Sequence, residues 1–270
     1  MKLKNKKYSY VRGFNYQPSY GSCGFEIWNN FDSSKIKKEI YFGKRYFPEI
    51  NTLRLWLSWD AYLRDKNKFK DSFDIVLNII EEFDLKVIPV LFNAWQGFPY
   101  FGGICYDHIR FYQKNPSYYK NYFITYLEDI VGSYQNDKRI LLWDLCNEPS
   151  TICQTEESRK VVFEFLFDIY NFCKKEIKVI SPISVGIVPS IHEIELYEPI
   201  SDIITTHPYW ARNQWVKDKN KFKEFLDNVV KFANLKEKGV IATETGWGSL
   251  DDYIRVETLE FELIELKKRK

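Results

Sequence analysis

The chain has 270 residues, 45% of them hydrophobic, and a net charge of +2 at neutral pH. That length suits one large α/β domain, and lysines interleaved with acids leave no basic face for nucleic acid. No run of eighteen apolar residues occurs, so a membrane is not an expected partner either.

Taken from the N-terminus, Met1 to Lys7 is basic, but no apolar stretch follows that would make a secretory leader. Cys23, Cys105, Cys146, Cys153 and Cys173 are odd in number and lack paired metal spacing. Reduced thiols and a cytoplasmic location are expected for the chain as given, or secretion if a leader was removed.

Short, nearly continuous apolar runs then recur at 11–16, 52–58, 86–92, 140–146, 183–188, 202–207 and 240–244. Parallel strands buried on both faces read this way. Between them lie segments with helical periodicity. Phe73, Val76, Leu77, Ile80 and Phe83 share one face of 72–84. The segment 116–134 opens with Asn115 as a candidate N-cap and Pro116 at the first helical position. Segments 156–175, 219–236 and 252–269 repeat the pattern. Alternating strand and helix units predict an α/β fold of the (β/α)8, TIM-barrel type. Seven strands are countable and none follows 244, so the eighth strand and helix are expected to be missing. The alternative is a doubly wound open sheet, which the lack of a Gly-rich phosphate turn after the first strand disfavours. The long irregular stretch 93–115 is a candidate functional loop.

Two glutamates stand out. Glu148 closes the run Trp143-Asp144-Leu145-Cys146-Asn147-Glu148-Pro149, and Glu244 closes Ala242-Thr243-Glu244 before Thr245-Gly246-Trp247. A carboxylate at the end of a buried strand is costly without a partner. In a barrel that end is where catalytic residues project. Pro149 stops the strand ladder, and Asn147 offers an amide to the same place. Arg54, inside the apolar Leu53-Arg54-Leu55-Trp56, needs a buried acceptor, and a carboxylate fits its fork. A purely structural ion pair is the other reading of Arg54, and a satisfied core histidine the other reading of His207. Cys146 alternates away from the pair and is read as packing.

These residues resemble the retaining glycoside hydrolases of clan A, family 5 (the cellulase and mannanase family) most of all. Asn147-Glu148-Pro149 after the fourth strand, Glu244 after the seventh, Arg54 on the second and His207-Pro208-Tyr209 on the sixth follow the family's order across positions 11–247. The resemblance implies a single catalytic barrel domain over 1–270, truncated at its C-terminus, that cleaves β-glycosidic bonds in a mannan- or cellulose-like glycan. It implies Glu148 as the protonated acid/base and Glu244 as the ionised nucleophile, with Arg54, Asn147, His207 and Tyr209 in support.

Aromatics cluster where such a site would lie. Trp28, Trp59, Trp95, Trp210, Trp215 and Trp247 fall at or beyond predicted strand ends, with Phe98, Tyr100 and Phe101 in the third loop. Flat rings bury the C–H faces of sugars, although about half are expected to anchor loops instead. Trp247 is the leading sugar platform, with Trp95 and Trp210 beside it. A carbohydrate substrate is the expected partner. No metal and no cofactor is expected, because no His/Cys/Asp cluster, Gly-x-Ser-x-Gly elbow or P-loop occurs. Oligomeric state, endo or exo action and the identity of the glycan stay open. The rival reading is a non-catalytic carbohydrate-binding protein on a degenerate barrel, and a weaker one is an inverting enzyme.

Overall fold

The computed structural model describes residues 1–95, 103–210 and 218–270, the side chain of Tyr112 excepted. The chain forms two compact units, residues 12–183 and residues 1–11 with 184–270.

In the first unit β1 (Gly13–Tyr16), β2 (Thr52–Trp56), β3 (Lys86–Asn93) and β4 (Trp143–Asn147) lie in parallel and in sequence order, and β5 (Ile183–Gly186) starts on the unit's last residue. The register sets Asn15 opposite Arg54 and Val90 opposite Asp144. β3 is buried along all but its first residue, which is why it reads as an unbroken apolar run.

The connecting helices are α1 (Gly24–Asn29), α2 (Ser33–Tyr46), α3 (Trp59–Arg64), α4 (Lys66–Glu82), α5 (Tyr106–Lys114), α6 (Pro116–Tyr118), α7 (Thr125–Leu127) and α8 (Glu156–Asn171). Asp32, Ser58 and Asp65 cap α2, α3 and α4 by accepting from backbone N–H groups. Thr155 and Ser158 form a reciprocal capping box on α8. The stretch expected as one helix at 116–134 is helical, but wide π-type turns at Tyr119–Ile124 and Glu128–Gly132 interrupt it. Asn115 does not cap it through its side chain. The Asn115 amide instead donates to the Phe111 carbonyl at 2.7 Å, closing the end of α5. Phe92, Phe123, Tyr126 and Phe165 interlock over the sheet with ring centroids 4.9–5.8 Å apart, in the edge-to-face arrangement aromatic rings favour.

The second unit holds α9 (Ile191–Tyr197), the parallel pair β6 (Ile204–Thr206) and β7 (Val240–Ala242), α10 (Lys219–Leu235) and α11 (Asp252–Lys268). The sequence Asp-Lys-Asn-Lys-Phe-Lys opens both α4 and α10. In each, the aspartate (Asp65, Asp218) caps the lysine N–H three residues on, and the phenylalanine (Phe69, Phe222) is buried. One local solution to starting an amphipathic helix is thus used twice. The N-terminal segment is no strand: Lys4 N–H donates to Asn234 at 2.7 Å and Leu3 N–H to the Arg269 carbonyl at 3.1 Å.

All seven expected strands are present, and no eighth follows β7 among the described residues. Among them, too, no helix is long and apolar enough to cross a membrane. α11 is inverted. Thr258, Glu262 and Glu265 are its buried positions, with Arg269 buried just past its end, while Tyr253, Val256, Leu259, Leu263 and Ile264 are exposed.

Candidate active site

The first unit holds a largely buried polar network that runs across β1 to β4. Arg54, 2% exposed, donates Nε and an Nη to Oδ2 of Asp144 at 3.1 and 2.8 Å. It also reaches Asn147 Oδ1 at 2.8 Å and Asn15 Oδ1 at 3.0 Å. Asn147 passes the network on, donating to Asn93 Oδ1 at 3.0 Å. The guanidinium lies 4.8 Å from the Trp56 ring centroid, an added cation–π contact. The carboxylate that holds Arg54 within this unit is therefore Asp144, fully buried on β4. The sequence reading left that acceptor unnamed. The usable signal was one interior aspartate on β4 facing one interior arginine on β2, each needing an opposite charge.

Glu148 follows β4 directly and is 8% exposed. Its backbone is left-handed, with φ 50° and ψ 56°. Three other described non-glycine residues have positive φ: Asp84, Lys178 and Glu237. All three directly follow helical turns, where this conformation is an ordinary stop. Glu148 instead ends a strand and precedes Pro149, which bars it from the right-handed helical region. A strained residue held by its surroundings is a mark of functional sites. The turn that holds it is Pro149–Ile152, closed by Thr151, whose N–H donates to the Glu148 carbonyl at 3.0 Å and whose hydroxyl lies 2.7 Å from it. Cys146 packs, as expected, and burial pushes its thiol well above the usual range.

The second unit, taken by itself, holds Glu244. β7 delivers Glu244 and β6 delivers His207 and Tyr209. Tyr209 Oη donates to Glu244 Oε2 at 2.6 Å. His207 is fully buried, with Nδ1 3.7 Å from the same oxygen, an electrostatic distance rather than a hydrogen bond. The His207 backbone N–H donates to the Ile187 carbonyl at 2.8 Å. Trp247 stands edge-on to Tyr209, with centroids 5.7 Å apart, and is 39% exposed, which suits a platform.

The remaining tryptophans divide. Trp28 and Trp59 are core residues, Trp28 donating to the Trp56 carbonyl at 2.9 Å and Trp59 stacking on Phe123 at 4.7 Å. Trp210 packs on Phe261 at 4.8 Å and under Lys219, which makes it a loop anchor rather than a platform. Trp95 is 46% exposed, with its N–H bonded to Asn93 Oδ1. Phe98, Tyr100, Phe101 and Trp215 lie outside the described residues.

Parallel strands alternate with helices in an α/β fold, and a glutamate follows β4 in the first unit and β7 in the second. Residues 24–265 match Cellulase (glycosyl hydrolase family 5). The chain belongs to that family. A comparison with curated protein sequences gives no match. The endo-1,4-beta-D-mannanase of Thermotoga petrophila RKU-1 aligns at TM-score 0.61 and 18% identity, over 96% of this chain and 85% of that one. The endo-beta-1,4-mannanase from Thermotoga petrophila aligns at TM-score 0.55 and 21% identity, over 87% of this chain and 60% of the other. Bifidobacterium dentium beta-glucuronidase aligns at TM-score 0.61 and 12% identity, over 96% of this chain and 38% of the other. At these identities the likeness shows the fold, α/β of the (β/α)8 TIM-barrel type.

Proposed function

We propose that the chain is a retaining β-glycosidase acting on a mannan- or cellulose-like glycan by double displacement. The observation that carries this reading is the short Tyr209–Glu244 hydrogen bond at the end of β7, in a chain of the cellulase family. An ionised carboxylate that accepts a charge-assisted O–H bond is held in one orientation. Glu244 attacks the anomeric carbon. Glu148 protonates the departing glycosidic oxygen, then takes a proton from the water that hydrolyses the glycosyl-enzyme. Asn147, locked between Arg54 and Asn93, presents a fixed amide beside the acid. Trp247 supplies an apolar face for a sugar ring, and Trp95 a further exposed ring. The domain is catalytic and needs no metal or cofactor for this chemistry.

The test is hydrolysis of 4-nitrophenyl β-mannoside, 4-nitrophenyl β-glucoside, mannan and soluble cellulose. Turnover that releases the β-anomer first and vanishes in Glu244→Gln supports double displacement. Release of the α-anomer would show inversion. Saturable glycan binding without turnover on any of the four would leave a carbohydrate-binding protein.

A further inference from the structure

Glu262 lies on α11, outside the pair that would do the chemistry, and is fully buried. Its carboxylate accepts from three donors on two separate segments. The Trp210 N–H reaches Oε1 at 2.6 Å. The Gly246 N–H reaches Oε2 at 2.5 Å, and the Thr245 hydroxyl lies 2.6 Å from the same oxygen. That hydroxyl is also 2.7 Å from the Pro208 carbonyl. One segment runs from His207 through Tyr209 to Trp210; the other runs from Glu244 to Trp247.

The backbone is shaped for this contact. Gly246 has φ +90°, and a Cβ there would sit 2.6 Å from Leu259 Cδ2 on α11. This φ is one that glycine adopts at little cost and that other residues rarely adopt. Burial alone pushes the Glu262 carboxyl above its ordinary range, and the bonds from Thr245, Trp210 and Gly246 pull the other way. The inverted face of α11 follows: the helix turns a carboxylate inward because backbone donors are waiting for it.

We propose that Glu262 is a positioning residue that clasps the segments after β6 and β7, and so sets the alignment of Tyr209 and Glu244 and the placement of Trp247. This rests on the glycosidase reading above. Glu262 touches no substrate. Its carboxylate supplies acceptors on both oxygens, whereas a glutamine would turn an N–H₂ toward one of its donors.

The experiment compares wild type with Glu262→Gln and Glu262→Ala in the full chain. Hydrogen exchange is followed at the Trp210 and Gly246 amides, and steady-state kinetics on the two 4-nitrophenyl glycosides. Faster exchange is expected at both amides in Glu262→Ala and at one or both of them in Glu262→Gln. A fall in kcat of about 10- to 100-fold is expected in Glu262→Gln, as for a misplaced catalytic group, with KM nearly unchanged. A residue that only stabilised the fold would lower the melting temperature and leave kcat of the folded protein alone. If Glu262→Gln folds and keeps kcat within about twofold of an active wild type, against the loss misplacement brings, the proposal is overturned. If wild type turns over neither glycoside, the glycosidase reading fails and exchange decides the clasp by itself. Unchanged exchange at Trp210 and Gly246 overturns it, and faster exchange upholds it.

Discussion

Tyr209 donates its phenolic hydrogen to Oε2 of Glu244 across 2.6 Å, joining the residues that follow β6 and β7. A bond to a charged group contributes roughly 1.5–3 kcal/mol. Tyr209→Phe removes it while keeping the ring against Trp247. A loss of kcat/KM of about 10- to 100-fold follows from that range. A melting curve close to wild type would place the loss in the site. Unchanged kcat/KM would remove Tyr209 from the machinery.

Glu148 is tested through the leaving group. With an acidic leaving group such as 2,4-dinitrophenol, glycosylation needs little protonation. Glu148→Gln then retains much of its first step. With an alkyl glycoside the same variant is expected to lose about 10²–10⁴-fold, the usual worth of general acid catalysis. Equal losses on both substrates would count against the acid role.

The buried Arg54–Asp144 pair makes a stability prediction. Removing one partner leaves a charge without its counter-ion, which costs about 3–5 kcal/mol. Asp144→Ala should therefore shift the denaturant midpoint far more than an exposed change such as Asp74→Ala. Arg54→Lys keeps the charge but loses the fork to Asp144, Asn147 and Asn15, so it is expected to fall between these in stability. An Asp144→Ala protein as stable as wild type would show that the network is not structural.

How far the sequence led is clearest in particular residues. β2 to β6 were legible because they are short and buried, hence nearly unbroken apolar runs, whereas β1 is mostly exposed. Glu148 and Glu244 were legible because polar residues at strand ends interrupt those runs, and Tyr209 only through the family resemblance. Helices such as α1 and α3, six residues each, were not, since fewer than two turns give no period to read. α4 begins at Lys66 rather than 72, because its first turn is set by the Asp65 cap and not by the apolar stripe. Glu262 left no trace, because a helix with a polar face inward has the same period as one with that face outward. Only the donors at Trp210 and Gly246 reveal which face was buried.

Glu262 also makes a pH prediction. Its folded-state pKa is raised above the ordinary 4.5 by burial. The folded state therefore holds the proton more tightly than the unfolded chain. This group's contribution to stability is fully present below pH 4.5 and is lost as pH rises through the folded value. Melting temperatures taken upward from pH 4 should show wild type losing ground to Glu262→Gln, which has no such proton. A difference that is constant with pH, or that moves the other way, would contradict the raised value.

The exposed side of α11 carries the last prediction. Tyr253, Val256, Leu259, Leu263 and Ile264 are between 39% and 89% exposed, and together they form one apolar stripe at helical spacing. Contiguous apolar surface of this kind drives association, whereas single exposed residues do not. The stripe is beyond the buried polar positions of the same helix, so charges placed on it disturb neither Glu262 nor the Glu265–Arg269 pair. Val256→Glu with Leu263→Glu is therefore expected to lower self-association in sedimentation velocity and raise solubility. The melting temperature should move by no more than about 2–4 °C, since surface changes are usually within about 0.5 kcal/mol each. Wild type sedimenting as a monomer at high concentration, with the double variant no more soluble, would show that the stripe drives no association.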